Sequence, residues 1–261
     1  MPEVQAEQTE CVFDRPRALD SRPHHYCPGC SHGIFHRLIG EMIDEFNLFD
    51  TTIGIVPVGC SVLAYDYFDT DVLQASHGRA PAVATGIKRT LPDRFVFTYQ
   101  GDGDLASIGM SETVHVAARG EKITIFFVNN GIYGMTGGQM APTTLEGQKS
   151  TTSPAGRDVQ HTGQPIDMCE LLSSLSGVAY LARVPLTSPK HLNTARKYMR
   201  KAVRAQIEGL GFSMIEALCA CPVQWGIDPK QALKHIDNEV VKVYPPGEYV
   251  DKVSGNGGKA K

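Results

Sequence analysis

Two short polar clusters, each ending an apolar run, constrain the fold of this chain more than any other feature. Gly101-Asp102-Gly103-Asp104 follows the run 95–99, and Asn129-Asn130-Gly131 ends the run 123–128. Unbroken apolar runs of this length read as buried strands. Between them, 107–119 has helical character, and Gly120 stands where a helix C-terminus favours glycine. The pattern predicts one βαβ unit with both polar clusters at the carboxyl ends of parallel strands, where open α/β sheets bind ligands. Glycines let the backbone approach a phosphate there, and N–H groups at a helix start favour the anion. The Asp102 carboxylate and the Asn130 amide oxygen are the hard donors that Mg²⁺ takes when it bridges a diphosphate.

Taken singly, Gly-Asp-Gly and Asn-Asn-Gly are ordinary turn chemistry. Strand, helix, strand and Asn pair in register give the combination its meaning. Together they resemble the thiamine diphosphate fingerprint.

The rest of the composition suits one α/β domain. A length of 261 residues with 42% hydrophobic residues supplies a sizeable core. The net charge of −3 offers no electrostatic case for nucleic acid or an anionic membrane. Apolar stretches are too short for a transmembrane helix. Glu3, Glu7, Glu10 and Asp14, with no apolar stretch among them, argue against a secretory signal, so a cytoplasmic location is expected. The expected organisation is a polar N-terminal arm at 1–20, one domain over 21–245 and a C-terminal tail at 246–261. Beyond the two clusters, 166–175 reads as a helix and 178–184 as a strand. A basic amphipathic helix is expected over 189–209, its lysines and arginines a solvated face or, less simply, a dock for an acidic electron carrier. The fold class predicted is α/β: a doubly wound, mostly parallel sheet flanked by helices.

Seven cysteines in a chain expected to stay reduced are ligands, nucleophiles or inert core residues rather than disulfides. Cys27-Pro28-Gly29-Cys30 is a Cys-x-x-Cys pair before an amphipathic helix with Ile34, Leu38, Ile39, Met42, Ile43 and Phe46 on its apolar stripe. Cys60 follows the strand expected over 52–58, and Cys219 and Cys221 follow the strand expected over 212–218. These segments can converge at one end of the sheet. Four such thiolates suit a tetrahedral zinc or an iron–sulfur cluster, and the Cys-x-x-Cys pair alone suits a thioredoxin-like redox site. Spacing leaves all three open. Cys11 and Cys169 carry no partner signal.

One family joins these pieces. Cys27-Pro28-Gly29-Cys30, Gly59-Cys60-Ser61, the stretch 76–80 running into 84–88, the Gly-Asp-Gly-Asp block and the stretch 129–139 occur in this order. Over about residues 20–245 the chain resembles the β subunit of the 2-oxoacid:ferredoxin oxidoreductases, in the branch acting on 2-oxoglutarate or branched-chain 2-oxoacids. The resemblance implies oxidative decarboxylation of a 2-oxoacid to acyl-CoA and CO₂. Its cofactors would be thiamine diphosphate, Mg²⁺ and one [4Fe–4S] cluster. Its partners would be an α subunit, a ferredoxin or ferredoxin-like subunit, coenzyme A and the 2-oxoacid. Asp102, Asn130 and the Ile132 carbonyl would be the Mg²⁺ ligands. Val58, Gly59, Cys60 and Ser61 would line the thiazolium side. Gly101, Gly103, Asp104, Gly134, Met135 and Thr136 would hold the cofactor, with Thr136 donating to a phosphate oxygen. Cys27, Cys30, Cys60 and Cys221 would bind the cluster, Cys221 preferred over Cys219 because Pro222 follows it. No catalytic residue is assigned on this chain, since the family's activating glutamate resembles one supplied by the α subunit.

Several residues stay outside that assignment. His77 either contacts substrate or thiamine, or caps the helix beginning near Pro81. His32 either reaches the cofactor or merely occupies the first turn of its helix. Arg79 offers a guanidinium fork to a carboxylate. The polar loop after Gln139 is long enough to cover a site or meet a partner, or it is simply solvated. Two other functions remain: a thiamine enzyme subunit without a cluster, and a non-catalytic metal-binding subunit.

Overall fold

The computed structural model describes residues 14–255. Its elements run α1 (His32–Glu45), β1 (Thr52–Val56), β2 (Asp71–Gln74), α2 (Ala80–Thr90), β3 (Phe95–Gly101), α3 (Met110–Arg119) and β4 (Thr124–Asn129). A small hairpin, β5 (Ile132–Tyr133) with β6 (Gln139–Met140), is followed by α4 (Val159–Thr162), α5 (Met168–Ser173) and β7 (Val178–Pro185). The chain then forms α6 (Pro189–Ile207), β8 (Phe212–Leu218), α7 (Pro222–Trp225), α8 (Pro229–His235) and β9 (Gly247–Asp251).

Seven strands form one sheet in the order β2-β1-β3-β4-β8-β7-β9, parallel except for β9, which pairs antiparallel with β7. Every residue of β4, β7 and β8 is buried, because helices cover both faces. The two-residue strand period divides the core. Phe97, Tyr99, Phe126 and Val128 pack with Phe35, Leu38 and Met42 of α1 and Met199 of α6. Val96, Ile125 and Phe127 pack instead with Ala84 of α2, Val116 of α3 and Leu172 of α5. The expected doubly wound α/β sheet is what forms.

Local departures have identifiable causes. The helix expected over 107–119 begins as a π turn, Asp104–Ile108, before α3. A Cβ on Gly109 would lie 2.6 Å from the Asp104 carbonyl oxygen and 2.9 Å from that of Gly78, so the chain bulges where glycine allows contact. Gly120 ends α3 in the left-handed region, as expected. The expected tail from 246 does not leave the sheet at once: β9 forms its edge, and Lys201 of α6 donates to Glu248 at 2.6 Å and Asp251 at 2.8 Å. At the other end Ala18 is buried, and Leu19 bridges to Phe68. The remainder of the expected arm (1–13, with Cys11) and of the tail (256–261) lies outside the described residues. Among the described residues no helix is long and apolar enough to cross a membrane.

Candidate active site

Parallel pairing of β3 with β4, with Gly101 opposite Val128, brings the two polar clusters together at the carboxyl edge of the sheet. All the residues expected to hold the cofactor and its metal, at 58–61, 101–104, 130, 132 and 134–136, line one cavity of about 490 Å³ counted to its mouth.

Asp102 is buried and its carboxylate is held from several sides. Oδ1 accepts from the Gly103 N–H at 2.8 Å, while Oδ2 accepts from the Gly131 N–H at 2.6 Å and the Thr143 hydroxyl at 2.7 Å. Burial pushes its carboxyl up to about 6 against the pull of those donors. A buried carboxylate of this kind gains from a nearby cation. The Asn130 side-chain oxygen accepts from the Ile132 N–H at 3.2 Å, and its carbonyl accepts from the Trp225 indole at 3.0 Å. Gly103 lets the Tyr133 ring pack close, since a Cβ there would lie 2.1 Å from that ring and force it to shift. The hydroxyl of Ser61 is buried without a hydrogen-bond partner in the wall of the same cavity. A pocket joining a buried carboxylate, an amide oxygen, close glycine backbone and an orphan hydroxyl fits a metal-bridged diphosphate.

Not every expected role matches the side-chain geometry. The Thr136 hydroxyl already donates to Gln139 Oε1 at 2.5 Å. Arg79 is paired with Glu112 and does not line the cavity. His77 does not cap α2, whose N-cap is Arg79 without a side-chain hydrogen bond; its ring lines the cavity instead, bound to Asp104.

A second cavity adjoins the first. Cys27, Cys30, Cys60 and Cys221 all line it. Cys60, His32, Asn130 and Gly134 line both cavities. Gly134 is the partition: a Cβ there would lie 3.2 Å from Cys60 Sγ and 3.6 Å from Cys221 Sγ. The Cys27–Cys30 turn closes with the Cys30 N–H on the Cys27 carbonyl at 3.0 Å, and Gly29 packs against Pro229. Cys219 lies in the apolar core and outside this cavity, and Cys169 is buried elsewhere. The described cysteines are all free. Burial pushes the thiol of Cys60 up to about 11 and that of Cys221 to about 12, and raises that of Cys30. Among the described residues no three His, Cys, Asp or Glu side chains converge as a single metal ion requires. The four thiols ring a space rather than close on a point.

Sequence reasoning missed three supports of this region. Thr143, in the polar loop after Gln139, holds Asp102, and its carbonyl accepts from Tyr244 at 2.8 Å. Buried Arg157 ties that loop together through the carbonyls of Pro142, Thr144 and Gly163 at 2.6–2.9 Å. Asn129 turns away from the cavity and donates to buried Glu216 at 2.7 Å, which pairs with buried Arg183 at 2.9 Å. Beside the cysteines, His32 stacks on Tyr26 with centroids 5.0 Å apart, and its Nδ1 lies 2.5 Å from the Tyr99 hydroxyl. Burial pushes that imidazole down to about 3. The run His24-His25-Tyr26 before Cys27 was the one sequence signal for this aromatic wall.

Fold and site together define a thiamine diphosphate-binding domain, and residues 57–217 match the family model described as thiamine pyrophosphate enzyme, C-terminal TPP binding domain. Among similar proteins is the ketoisovalerate oxidoreductase subunit VorA of Methanothermobacter thermautotrophicus, 47% identical over 92% of this chain and 50% of the relative. The 2-oxoglutarate synthase subunit KorB of Methanocaldococcus jannaschii is 37% identical over 79% of this chain and 73% of the relative. A solved structure of the 2-oxoglutarate:ferredoxin oxidoreductase from Magnetococcus marinus, with 2-oxoglutarate, coenzyme A and succinyl-CoA bound, superposes with a TM-score of 0.72. It is 27% identical and is matched over 84% of this chain and 72% of that one. This chain belongs to the family of 2-oxoacid oxidoreductase subunits that includes VorA and KorB. It spans about half the length of the VorA relatives it matches.

Proposed function

We propose that this chain is the thiamine diphosphate-binding subunit of a cytoplasmic enzyme that oxidatively decarboxylates a 2-oxoacid to acyl-CoA and CO₂, with ferredoxin as electron acceptor. Asp102, Asn130 and the Ile132 carbonyl would hold Mg²⁺ on the diphosphate. The backbone at Gly101, Gly103, Asp104 and 134–136 would cradle the phosphates, and residues 58–61 would line the thiazolium side. Cys27, Cys30, Cys60 and Cys221 would hold one [4Fe–4S] cluster. Thiamine diphosphate supplies the electron sink for loss of CO₂, and the cluster accepts electrons one at a time.

The observation that carries the reading is the shared wall. Four cysteines from three distant segments line a cavity that shares His32, Cys60, Asn130 and Gly134 as a wall with the cavity of Asp102. Unpaired thiols suit a reducing compartment. The family's activating glutamate has no counterpart assigned on this chain, so an α subunit would complete the site and exclude water from it. The closer identity to the ketoisovalerate proteins than to KorB favours a branched-chain 2-oxoacid as the first substrate to test.

Anaerobic purification of the chain with its accompanying subunits tests this. The sample should be brown, carry iron and acid-labile sulfide, release thiamine diphosphate on denaturation, and reduce ferredoxin only with both a 2-oxoacid and coenzyme A. A colourless protein that still retains thiamine diphosphate would remove the cluster and leave a thiamine subunit without one.

A further inference from the structure

Helix α7 is short, yet it reaches both cavities. It is capped by Cys221 and ends on Trp225. Cys221, Pro222, Val223 and Gln224 line the cavity of the cysteines. Two of its side chains also reach the segment 130–134, which carries the proposed metal ligands Asn130 and Ile132. The Trp225 indole donates to the Asn130 carbonyl at 3.0 Å, and the Gln224 side-chain amide donates to the Gly134 carbonyl at 3.0 Å.

We propose that Gln224 and Trp225 are positioning residues for the metal, fixing the segment that presents the Asn130 side chain and the Ile132 carbonyl; this rests on the thiamine diphosphate reading above. Neither residue lines the first cavity, so both act through the backbone they hold. A ligand offered by the main chain is only as well placed as the peptides on either side of it. The N–H groups of Asn130 and Gly131 donate to Asp102 Oδ2 at 3.3 and 2.6 Å, and the Gly131 carbonyl accepts from the Thr144 hydroxyl at 2.6 Å. Those bonds anchor the start of the segment. Ile132 lies between the two carbonyls that α7 captures, which sets the direction of its own.

The helix is itself held in place. The Trp225 N–H donates to the Cys221 carbonyl at 3.0 Å, and the chain leaves at Gly226 with φ +64°, in the left-handed region. The indole meets the His235 ring of α8 edge-on, with centroids 5.3 Å apart. Gln224 lies against Gly138, where a Cβ would come within 2.8 Å of Gln224 Oε1. A clamp fixed from behind imposes a geometry on the loop instead of following it.

Metal choice separates positioning from general support. Mg²⁺ demands near-ideal octahedral coordination, whereas Ca²⁺ accepts varied ligand numbers and distances. A loosened loop therefore handicaps Mg²⁺ more.

Thiamine diphosphate is titrated into the purified, cofactor-depleted complex, once with Mg²⁺ and once with Ca²⁺. The proteins compared are the parent, Trp225→Phe, Gln224→Met, Gln224→Glu and the double variant of the first two, with iron measured on the same samples. Trp225→Phe and Gln224→Met should each weaken binding with Mg²⁺ by about 3- to 10-fold, the scale of one neutral hydrogen bond. With Ca²⁺ the loss should stay below about twofold. Gln224→Glu, which turns an acceptor towards a carbonyl, should lose more than Gln224→Met. Iron should stay at the parent level throughout, since Cys221 is untouched. Unchanged binding with Mg²⁺ in the double variant overturns the proposal, as does an equal loss with both metals. A matching fall in iron also overturns it and makes α7 a support of the whole region. Should Trp225→Phe fail to assemble, half-buried Gln224 carries the same comparison alone. If the parent binds thiamine diphosphate with neither metal, the underlying reading falls and this proposal with it; a parent that binds beside variants that bind equally well sinks this proposal only.

Discussion

The two adjoining cavities are built by different means. In the first, the carboxylates of Asp102 and Asp104 accept hydrogen bonds from backbone N–H groups of Gly103, Gly131 and Gly78. Most of that framework comes from the single unit β3-α3-β4. The second cavity is ringed by thiols drawn from the turn before α1, the loop after β1 and the cap of α7, and burial raises those of Cys30, Cys60 and Cys221. The first takes most of its backbone hydrogen bonds from one βαβ unit, whereas the second draws its members from three distant segments. Preorganised oxygen and N–H groups suit a ligand that exchanges, whereas thiolates drawn from distant segments suit one built in permanently.

If the cavities are separate in this sense, they should fail separately. The largest effect is expected from Cys60→Ser, which replaces a proposed soft ligand by a hydroxyl and should remove nearly all iron and visible absorbance. Thiamine diphosphate affinity in that variant should change by less than about tenfold, because Cys60 contributes only wall to the first cavity. Joint loss of both groups would show that the cluster shapes the diphosphate site.

Asp102→Ala is the reciprocal case. Changes one shell out from a metal already cost about 10- to 100-fold, so loss of the proposed carboxylate ligand should weaken Mg²⁺–thiamine diphosphate by more than about 100-fold. Iron content should stay at the parent level. Retention of thiamine diphosphate through gel filtration by this variant would refute the ligand assignment.

The support behind Asn129 gives a smaller effect, read as stability. Glu216→Ala leaves buried Arg183 with Asp167 as its remaining carboxylate partner and removes the acceptor for Asn129. Loss of one partner from a buried pair costs about 3–5 kcal/mol, measurable by urea unfolding. Thiamine diphosphate affinity should fall more than iron content, since Asn129 adjoins Asn130 and touches no cysteine of the second cavity. Equal losses would mean that the pair supports the sheet as a whole.

The smallest effect separates the two late cysteines. Cys221→Ser should lose most of the iron. Cys219→Ser should keep it and cost only about 1–3 kcal/mol for a hydroxyl placed in apolar core. The reverse order would exchange their roles.

Much of the first cavity was legible in the chain. Gly101–Asp104 and Asn129–Gly131 lie at the ends of apolar runs, and strand pairing in a βαβ unit leaves little freedom in where such ends go. The same rule allowed Cys27, Cys30, Cys60 and the Cys219/Cys221 pair to converge at one end of the sheet, while the choice of Cys221 over Cys219 rested on the family resemblance. The partners of the site were not legible. Thr143 reaches Asp102 across 41 positions, and Asn129 reaches Glu216 across 87. His77 reads equally well as a helix cap until Asp104 is found 2.6 Å away. The π turn at Asp104–Ile108 escaped because periodicity reports a helix and not its register, which the contact of Gly109 with Gly78 decides.

By itself, then, the order of residues determined the sheet, its ligand-binding edge and the chemical kinds of side chain delivered there, because hydrophobic period and glycine conformation act over a few neighbours. Tertiary structure alone decided which thiols share a cavity, that Gly134 lies in the wall between two cavities, and that the Asp104 carboxylate meets His77. Those outcomes depend on side chains meeting within about 3 Å across the fold, a distance set by packing that one-dimensional spacing does not carry.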